Sequence, residues 1–113
     1  MKLSVTIQIN GKNFSATLND NPTARAFIER LPLEFDMIEL NGNEKYFYLD
    51  ADLPTDSERV NRIHVGDVML FGANCLVIFY RDFATSYSYT RLGKHDNHAE
   101  ILGNGNVRVM FDK

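Results

Sequence analysis

The sequence predicts a mainly β domain, an antiparallel barrel or sandwich that carries one helix. Seven or eight short runs read as strands, several of them alternating apolar with polar residues as a strand with one buried face does. Turn-forming Asn, Gly and Asp residues separate these runs, and a single segment has helical periodicity. This pattern favours antiparallel strands over any βαβ arrangement. Closure into a barrel would also remove the exposed edges of so many apolar strands.

The chain opens with a predicted β-hairpin. Apolar residues occupy alternate positions from residue 3 to residue 9 and again from residue 14 to residue 18. Between these runs, Asn10 and Gly11 both tolerate a positive φ, which a tight hairpin turn requires. The two strands are therefore expected to pair and to bury one common face.

An amphipathic helix is predicted next. Asn19, Asp20 and Asn21 offer side chains that cap a helix N-terminus, and Pro22 suits the first turn. Apolar residues then follow at i, i+3, i+4 and i+7, namely Ala24, Phe27, Ile28 and Leu31. Pro32 is expected to stop the helix, which in a barrel would plug one open end.

The middle of the chain predicts two short strands and a polar loop. Alternation over residues 33–37 shifts register at Ile38, so we expect a short strand that gives way to a turn at residues 41–43. A second short strand is predicted over residues 46–49. Residues 50–61 are rich in Asp and nearly free of apolar residues, which indicates a surface loop.

The longest strand-like apolar segment spans residues 66–94. Residues 68–71 and 75–80 are rich in β-branched and aromatic side chains, and a Gly-Ala-Asn turn separates them, which predicts a buried hairpin. After a loop over residues 81–85, Tyr87, Tyr89 and Arg91 alternate with small polar residues. This alternation predicts a strand with one aromatic and one polar face.

The end of the chain predicts a loop, a helical turn and a last strand. The loop opens at His95 and runs to His98, and residues 99–102 have the composition of one helical turn. Gly103, Asn104 and Gly105 would end that turn. Alternate apolar residues from position 107 to position 111 then predict a closing strand.

Composition narrows the classes of function. At 113 residues the chain is long enough for one domain (1–113) with its own core. Its net charge is −3 and its basic residues are scattered, so nucleic acid is not an expected partner. The lone Cys75 excludes an internal disulfide, and no apolar run is long enough to span a membrane as a helix. We expect a soluble cytoplasmic protein that does not bind membranes.

The chain resembles bacterial cyclophilin-like domain proteins in five segments. These are residues 21–24 (NPTA), 41–46 (NGNEKY), 53–56 (LPTD), 66–67 with 72–76 (GD and GANCL) and 86–93 (SYSYTRLG). The resemblance implies a closed barrel of about eight strands. Similar domains occur alone, in secreted or lipoprotein forms, or joined to flavodoxin-like domains, so a role as accessory domain to a flavodoxin-like redox protein is one alternative.

Peptidyl-prolyl isomerase activity does not follow from this resemblance. True cyclophilins bring their catalytic arginine in a Phe-His-Arg segment and line the proline pocket with a Gln-Phe-Phe pattern, and this sequence contains neither, nor any Trp. Isomerisation needs little beyond an apolar pocket and a cation near the prolyl nitrogen, so Arg91 is the candidate for a weak or divergent activity. We predict no catalytic residues and no enzyme, with weak isomerase activity as the alternative.

The candidate binding residues lie on and beside the tyrosine-rich strand. Arg91 has a planar fork that clamps a carboxylate or phosphate, and Tyr87 and Tyr89 can stack on an aromatic or prolyl group. Asn74 and Arg81 are expected to neighbour this strand. The alternative is an ordinary barrel strand with its polar face in water.

Other reactive or charged residues give less support for a catalytic, metal-binding or ligand-binding role. Cys75 lies among apolar residues and is predicted to be an inert buried thiol. His95 and His98 have a metal-pair spacing but lack a third ligand, so neither a metal nor a cofactor is predicted. Glu44 and Lys45 either line a barrel mouth or form an exposed charged turn.

The predicted function is therefore a non-catalytic binding module. Its partner would be a small molecule or an extended peptide, the latter held by backbone hydrogen bonds along a sheet. A homodimer is compatible with the sequence.

Overall fold

The computed structural model describes residues 3–9, 11–95 and 105–113, which form eleven strands and one helix. The strands are β1 (Leu3–Ile9), β2 (Lys12–Leu18), β3 (Leu33–Leu40), β4 (Glu44–Tyr48), β5 (Glu58–Arg59), β6 (Arg62–Ile63), β7 (Asp67–Phe71), β8 (Cys75–Phe79), β9 (Phe83–Ala84), β10 (Ser88–His95) and β11 (Val107–Asp112). The helix is α1 (Pro22–Glu29).

Eight of the strands close into an antiparallel barrel. Their order is β2-β1-β11-β3-β4-β8-β7-β10, and β10 pairs again with β2 to complete the ring. The short β5 adds to β10, while β6 and β9 pair with each other outside the barrel. The sequence left barrel and sandwich open, and the structure confirms the barrel of about eight strands that the family resemblance implied.

The barrel interior is filled by alternate side chains of its strands and by the helix. Asn21 caps α1, because its Oδ1 atom accepts a hydrogen bond from the amide of Ala24 at 2.8 Å. Phe27 projects from the helix into the core and meets Phe111 of β11 edge to face, with ring centroids 5.2 Å apart. The predicted amphipathic helix is thereby confirmed, and its apolar face completes the core.

The wall formed by β7 and β8 is apolar on both faces. Leu70, Leu76 and Ile78 point into the barrel core, whereas Met69 and Val77 point outward. A second apolar cluster covers this outer side of the wall, and we call it the outer cluster. It consists of Val60, Ile63, Met69, Cys75, Val77, Phe79 and Tyr89. The β6–β9 pair supplies Ile63 and Phe83 to this cover, so the predicted central hairpin is confirmed as buried, except at Phe71, which is exposed.

Several boundaries differ from the predictions. β3 does not stop at the register shift but continues to Leu40, because Glu39 turns inward to polar partners while Ile38 and Leu40 face outward. β10 begins at Ser88 and continues through His95, which is buried at the strand end and not in a loop. The two predicted loops also contain the two-residue strands β5 and β9.

Some predictions fall on residues that the structure does not describe. They concern Asn10 of the first turn, His98, and the helical turn over residues 99–102, which all lie outside the described residues. Within the described part of the chain, no helix is both long enough and apolar enough to cross a membrane.

Barrel closure depends on a close backbone approach at Gly93. This residue of β10 pairs with Leu18 of β2 and follows a register irregularity in the pairing with β7. A Cβ atom at Gly93 would collide with the carbonyl oxygen of Thr17 and lie 2.7 Å from the Cα atom of Leu18. Both neighbours are backbone atoms, so only a shift of the strand could relieve the collision.

Gly93→Ala is therefore expected to lower the free energy of unfolding by about 3 kcal/mol, measured by urea denaturation. Gly72→Ala is the matched control, because Gly72 has a φ of +63° but open space where a Cβ would lie. That variant should lose only about 1 kcal/mol, the cost of a left-handed backbone conformation. Equal losses in the two variants would contradict the role of Gly93 in closure.

Candidate functional site

An open concavity lies on the outer face of the barrel wall, where the outer cluster ends. Its volume is about 340 Å³, and we call it the aromatic cup. The residues that define it are Glu44, Tyr46, Tyr48, Phe71, Tyr87 and Tyr89. Leu40, Asn41, Cys75 and Val77 complete the lining.

Strand register assembles the cup. Cys75 of β8 is the direct cross-strand neighbour of both Tyr48 on β4 and Phe71 on β7, and these three outward residues form one row across the wall. Tyr46 lies opposite Val77 in the next outward row. Tyr89 of β10 reaches the same place, with its ring centroid 5.6 Å from that of Phe71. The pairings β4–β8, β8–β7 and β7–β10 thus bring together aromatic side chains from distant parts of the chain.

The rings stand at steep angles and are partly open to water. Tyr46 and Tyr48 meet at 76°, and Phe71 and Tyr87 meet at 79°. Tyr48 and Tyr87 are 60% and 62% exposed, whereas Tyr89 is buried at the base. A group of exposed aromatic side chains is uncommon on a surface without a binding role.

Glu44 is the acidic side chain in the lining of the cup. It is half-buried, and within the described residues its carboxylate takes part in no hydrogen bond or ion pair. Burial raises the pKa of Glu44, and the negative charge of Glu39 raises it further. Among the described residues, none supplies this carboxylate with a paired positive charge.

Neither the Cys75 thiol nor the Tyr89 hydroxyl, both in the described lining of the cup, is activated as a nucleophile. Burial, together with the negative charge of Glu44, raises the pKa of the Cys75 thiol to about 11, so this thiol is protonated at neutral pH. Burial and the same carboxylate also raise the pKa of Tyr89 to about 12. Both residues act here as apolar or hydrogen-bonding surface, and neither has the low pKa that nucleophilic catalysis requires.

The structure does not bring all five predicted binding residues into one concavity. Tyr87 and Tyr89 line the cup, but the other three bind elsewhere in the structure. Asn74 lies in the β7–β8 turn, where its carbonyl accepts the amide of Leu49 at 2.7 Å. Arg81 donates from its Nε atom to the carbonyl of Gly42 at 2.8 Å.

Arg91 lies outside the cup and is already paired. It faces outward beside Met69, and its Nε atom donates to the Glu58 carboxylate at 2.6 Å. The concavity of about 420 Å³ next to it is larger than the cup, but several groups in its lining already bind one another. Asn21 donates to the Arg91 carbonyl at 2.9 Å, and Thr90 accepts the amide of Asp56 at 3.0 Å. These contacts anchor the helix and the long loop to β10.

Part of the cup is absent from the sequence-based prediction. Phe71 falls in the hairpin that is predicted to be buried, and Tyr46 and Tyr48 fall in a predicted strand with no binding role. The available signal was the alternation of Glu44, Tyr46 and Tyr48, which places all three on one face of β4. What no local pattern indicates is that this face lies next to Phe71.

Known proteins share this architecture. The sequence profile of the cyclophilin-like family matches residues 7–112. The chain belongs to the cyclophilin-like family. In structure it is similar to a hypothetical protein from Archaeoglobus fulgidus solved in solution, with a TM-score of 0.70, 16% sequence identity, and coverage of 98% of this chain and 94% of the other. At that identity the similarity shows the fold alone. No curated protein matches this chain in sequence.

In this cyclophilin-like domain, strand β4 presents Glu44 and Tyr46 to the cup, whereas Lys45 between them points inward. The prediction of an exposed charged turn is therefore wrong for Lys45. Lys45 is fully buried and donates to the Glu39 carboxylate at 2.8 Å and to the Gly105 carbonyl at 2.6 Å. The Tyr80 hydroxyl donates to the same carboxylate at 2.6 Å. Burial acts to raise the pKa of Glu39, but the hydrogen bonds from Lys45 and Tyr80 lower it overall. This cluster is internally paired, which suits a structural role at the barrel end.

Metal binding has no support within the described residues. No group of three or more His, Cys, Asp or Glu side chains there is arranged to hold an ion. The hypothetical pair of His95 and His98 lies partly outside those residues.

Removal of the Glu39 carboxylate should destabilise the domain strongly. Glu39→Ala would leave the buried Lys45 ammonium without its counterion, and we expect a loss of about 3 kcal/mol in the free energy of unfolding. Glu34→Ala on the same strand is the matched control, because Glu34 pairs with Arg108 across an exposed 3.3 Å contact. Its expected loss is below about 1 kcal/mol by the same urea denaturation. Similar losses would contradict the structural role of the buried pair.

Proposed function

We propose that this cyclophilin-like domain is a binding module that takes a small molecule in the aromatic cup. The observation that carries the proposal is the meeting of five aromatic rings in one open concavity with a carboxylate that has no ion-pair partner in the described part of the chain. Its volume of about 340 Å³ lies at the lower end of the range for small-molecule sites, roughly 300 to 1,000 Å³. A ligand there would stack on exposed rings, of which those of Tyr48 and Phe71 are carried by paired strands and that of Tyr87 directly precedes β10.

A small molecule fits the fold better than an extended peptide does. Peptide capture as an added strand requires a free strand edge. Each of the eight barrel strands pairs with a neighbour on both sides along at least part of its length, which leaves little edge for addition. The cup instead offers side chains, and side-chain recognition suits a compact ligand.

Isomerase activity at Arg91 receives less support. Its guanidinium is held by Glu58 and lines the neighbouring concavities, whereas the apolar surface suited to a prolyl ring lies in the cup. The cation and the apolar wall that isomerisation combines are therefore in separate places.

A thermal-shift screen tests the proposed site. The probes are prolyl peptides, organic acids, organic amines, nucleotides and flavins, each added to the wild type and to Tyr48→Ala, Tyr87→Ala and Arg91→Ala. We expect at least one probe to raise the melting temperature of the wild type, because a ligand that binds only the folded state stabilises it. That shift should shrink by more than half in both tyrosine variants.

Arg91→Ala is the control and should keep the shift, since Arg91 lies outside the cup. A shift that survives in both tyrosine variants but disappears in Arg91→Ala would refute the cup and move the site to the Arg91 concavities. Absence of any shift in the wild type would count against the binding function itself.

A further inference from the structure

The chemistry of the aromatic cup points to the charge of its ligand. We infer that the cup takes an organic cation, an alkylated ammonium group held between the aromatic rings and beside the Glu44 carboxylate. This inference rests on the function proposed above, because it assigns the ligand class of that same site.

The rings have the arrangement that attracts a weakly hydrated cation. The face of an aromatic ring carries negative electrostatic potential, and cations bind over it within about 6 Å of the ring centroid. Steep angles of 76° for the Tyr46–Tyr48 pair and 79° for the Phe71–Tyr87 pair turn the rings into walls around a space and not into one flat stack. Both pairs belong to the lining of the cup, so several rings border the same volume.

Glu44 supplies the charge that selects a cation over a neutral or anionic ligand. Two other glutamates on the barrel, Glu39 and Glu58, each form an ion pair, the first with Lys45 and the second with Arg91. The Glu44 carboxylate makes no such pair within the described residues, although it is half-buried. A bound ammonium group would act as its missing counterion, whereas an anion would meet uncompensated repulsion.

An alkylated ammonium suits the cup better than a metal ion does. Divalent metal ions take six or more oxygen ligands, or a compact set of His, Cys and carboxylate groups. Among the described residues that line the cup, Glu44 is the one carboxylate, and its neighbours are mainly rings and aliphatic side chains. Such a lining favours a cation that carries its own apolar surface.

The test compares choline with its neutral carbon isostere, 3,3-dimethyl-1-butanol, by NMR titration of the intact protein. The two molecules have the same shape, so a difference in affinity reports the positive charge. We expect choline to bind at least ten times more tightly than the isostere. Glu44→Gln should weaken choline binding by about 5- to 30-fold, in line with one lost charge interaction in a partly buried site.

Matched variants separate the charge from the fold. Glu34→Gln removes the same charge from an exposed position outside the cup and should leave choline affinity within twofold of the wild type. Tyr48→Phe keeps the ring and should retain most of the affinity, whereas Tyr48→Leu should lose about tenfold.

The outcomes distinguish the two proposals. Equal affinity for choline and the isostere, or unchanged affinity in Glu44→Gln, would overturn the cation inference while the binding function stands. If neither molecule bound and the thermal-shift probes also failed, both proposals would fall. A wild-type dimer in sedimentation that dissociates in Tyr48→Leu would also overturn the inference, because a second copy would then cover the cup.

Discussion

Closure of the barrel through β10 and β2 is the constraint on which the rest of the structure depends. β10 pairs with β7 along one part and with β2 along another, and its backbone passes β2 at Gly93 too closely for any side chain. Once the ring is closed, the alternate residues of eight strands share one interior, and α1 inserts Phe27 into that core. The direction of every side chain on the wall follows from this closure, because strand residues alternate between the two faces.

The outer face of the wall explains where a ligand site arises. β7 and β8 carry apolar side chains on both faces, so the outer face also needs cover from water. The β6–β9 pair covers Met69, Val77 and Phe79 but stops short of the Tyr48–Cys75–Phe71 row. The cup is the uncovered remainder of this second apolar layer. Tyr46, Tyr48, Phe71 and Tyr89 lie on strands whose pairings also hold the barrel, which pre-organises most of the site.

Much of the fold could be predicted from the sequence because its signals are local. Alternating apolar residues on either side of a turn indicate the first hairpin, and helical periodicity after capping residues indicates α1. The inward turn of Glu39 could not be predicted, since its reasons are Lys45 on the next strand and Tyr80, 41 positions away. Likewise the alternation over residues 86–91 indicated Tyr87 and Tyr89, but the placement of Glu44 beside them depends on the order of strands across the wall.

The most direct test of the aromatic cup as a binding site is a crystal structure of the protein soaked with a mixed set of small aromatic, aliphatic and cationic fragments. We expect fragments to occupy the aromatic cup first, in contact with Tyr48 and Tyr87 and with the Glu44 carboxylate, and the ion pair between Arg91 and Glu58 to stay intact. Fragments bound beside Arg91 with the pair broken and the cup empty would contradict a binding role of the cup.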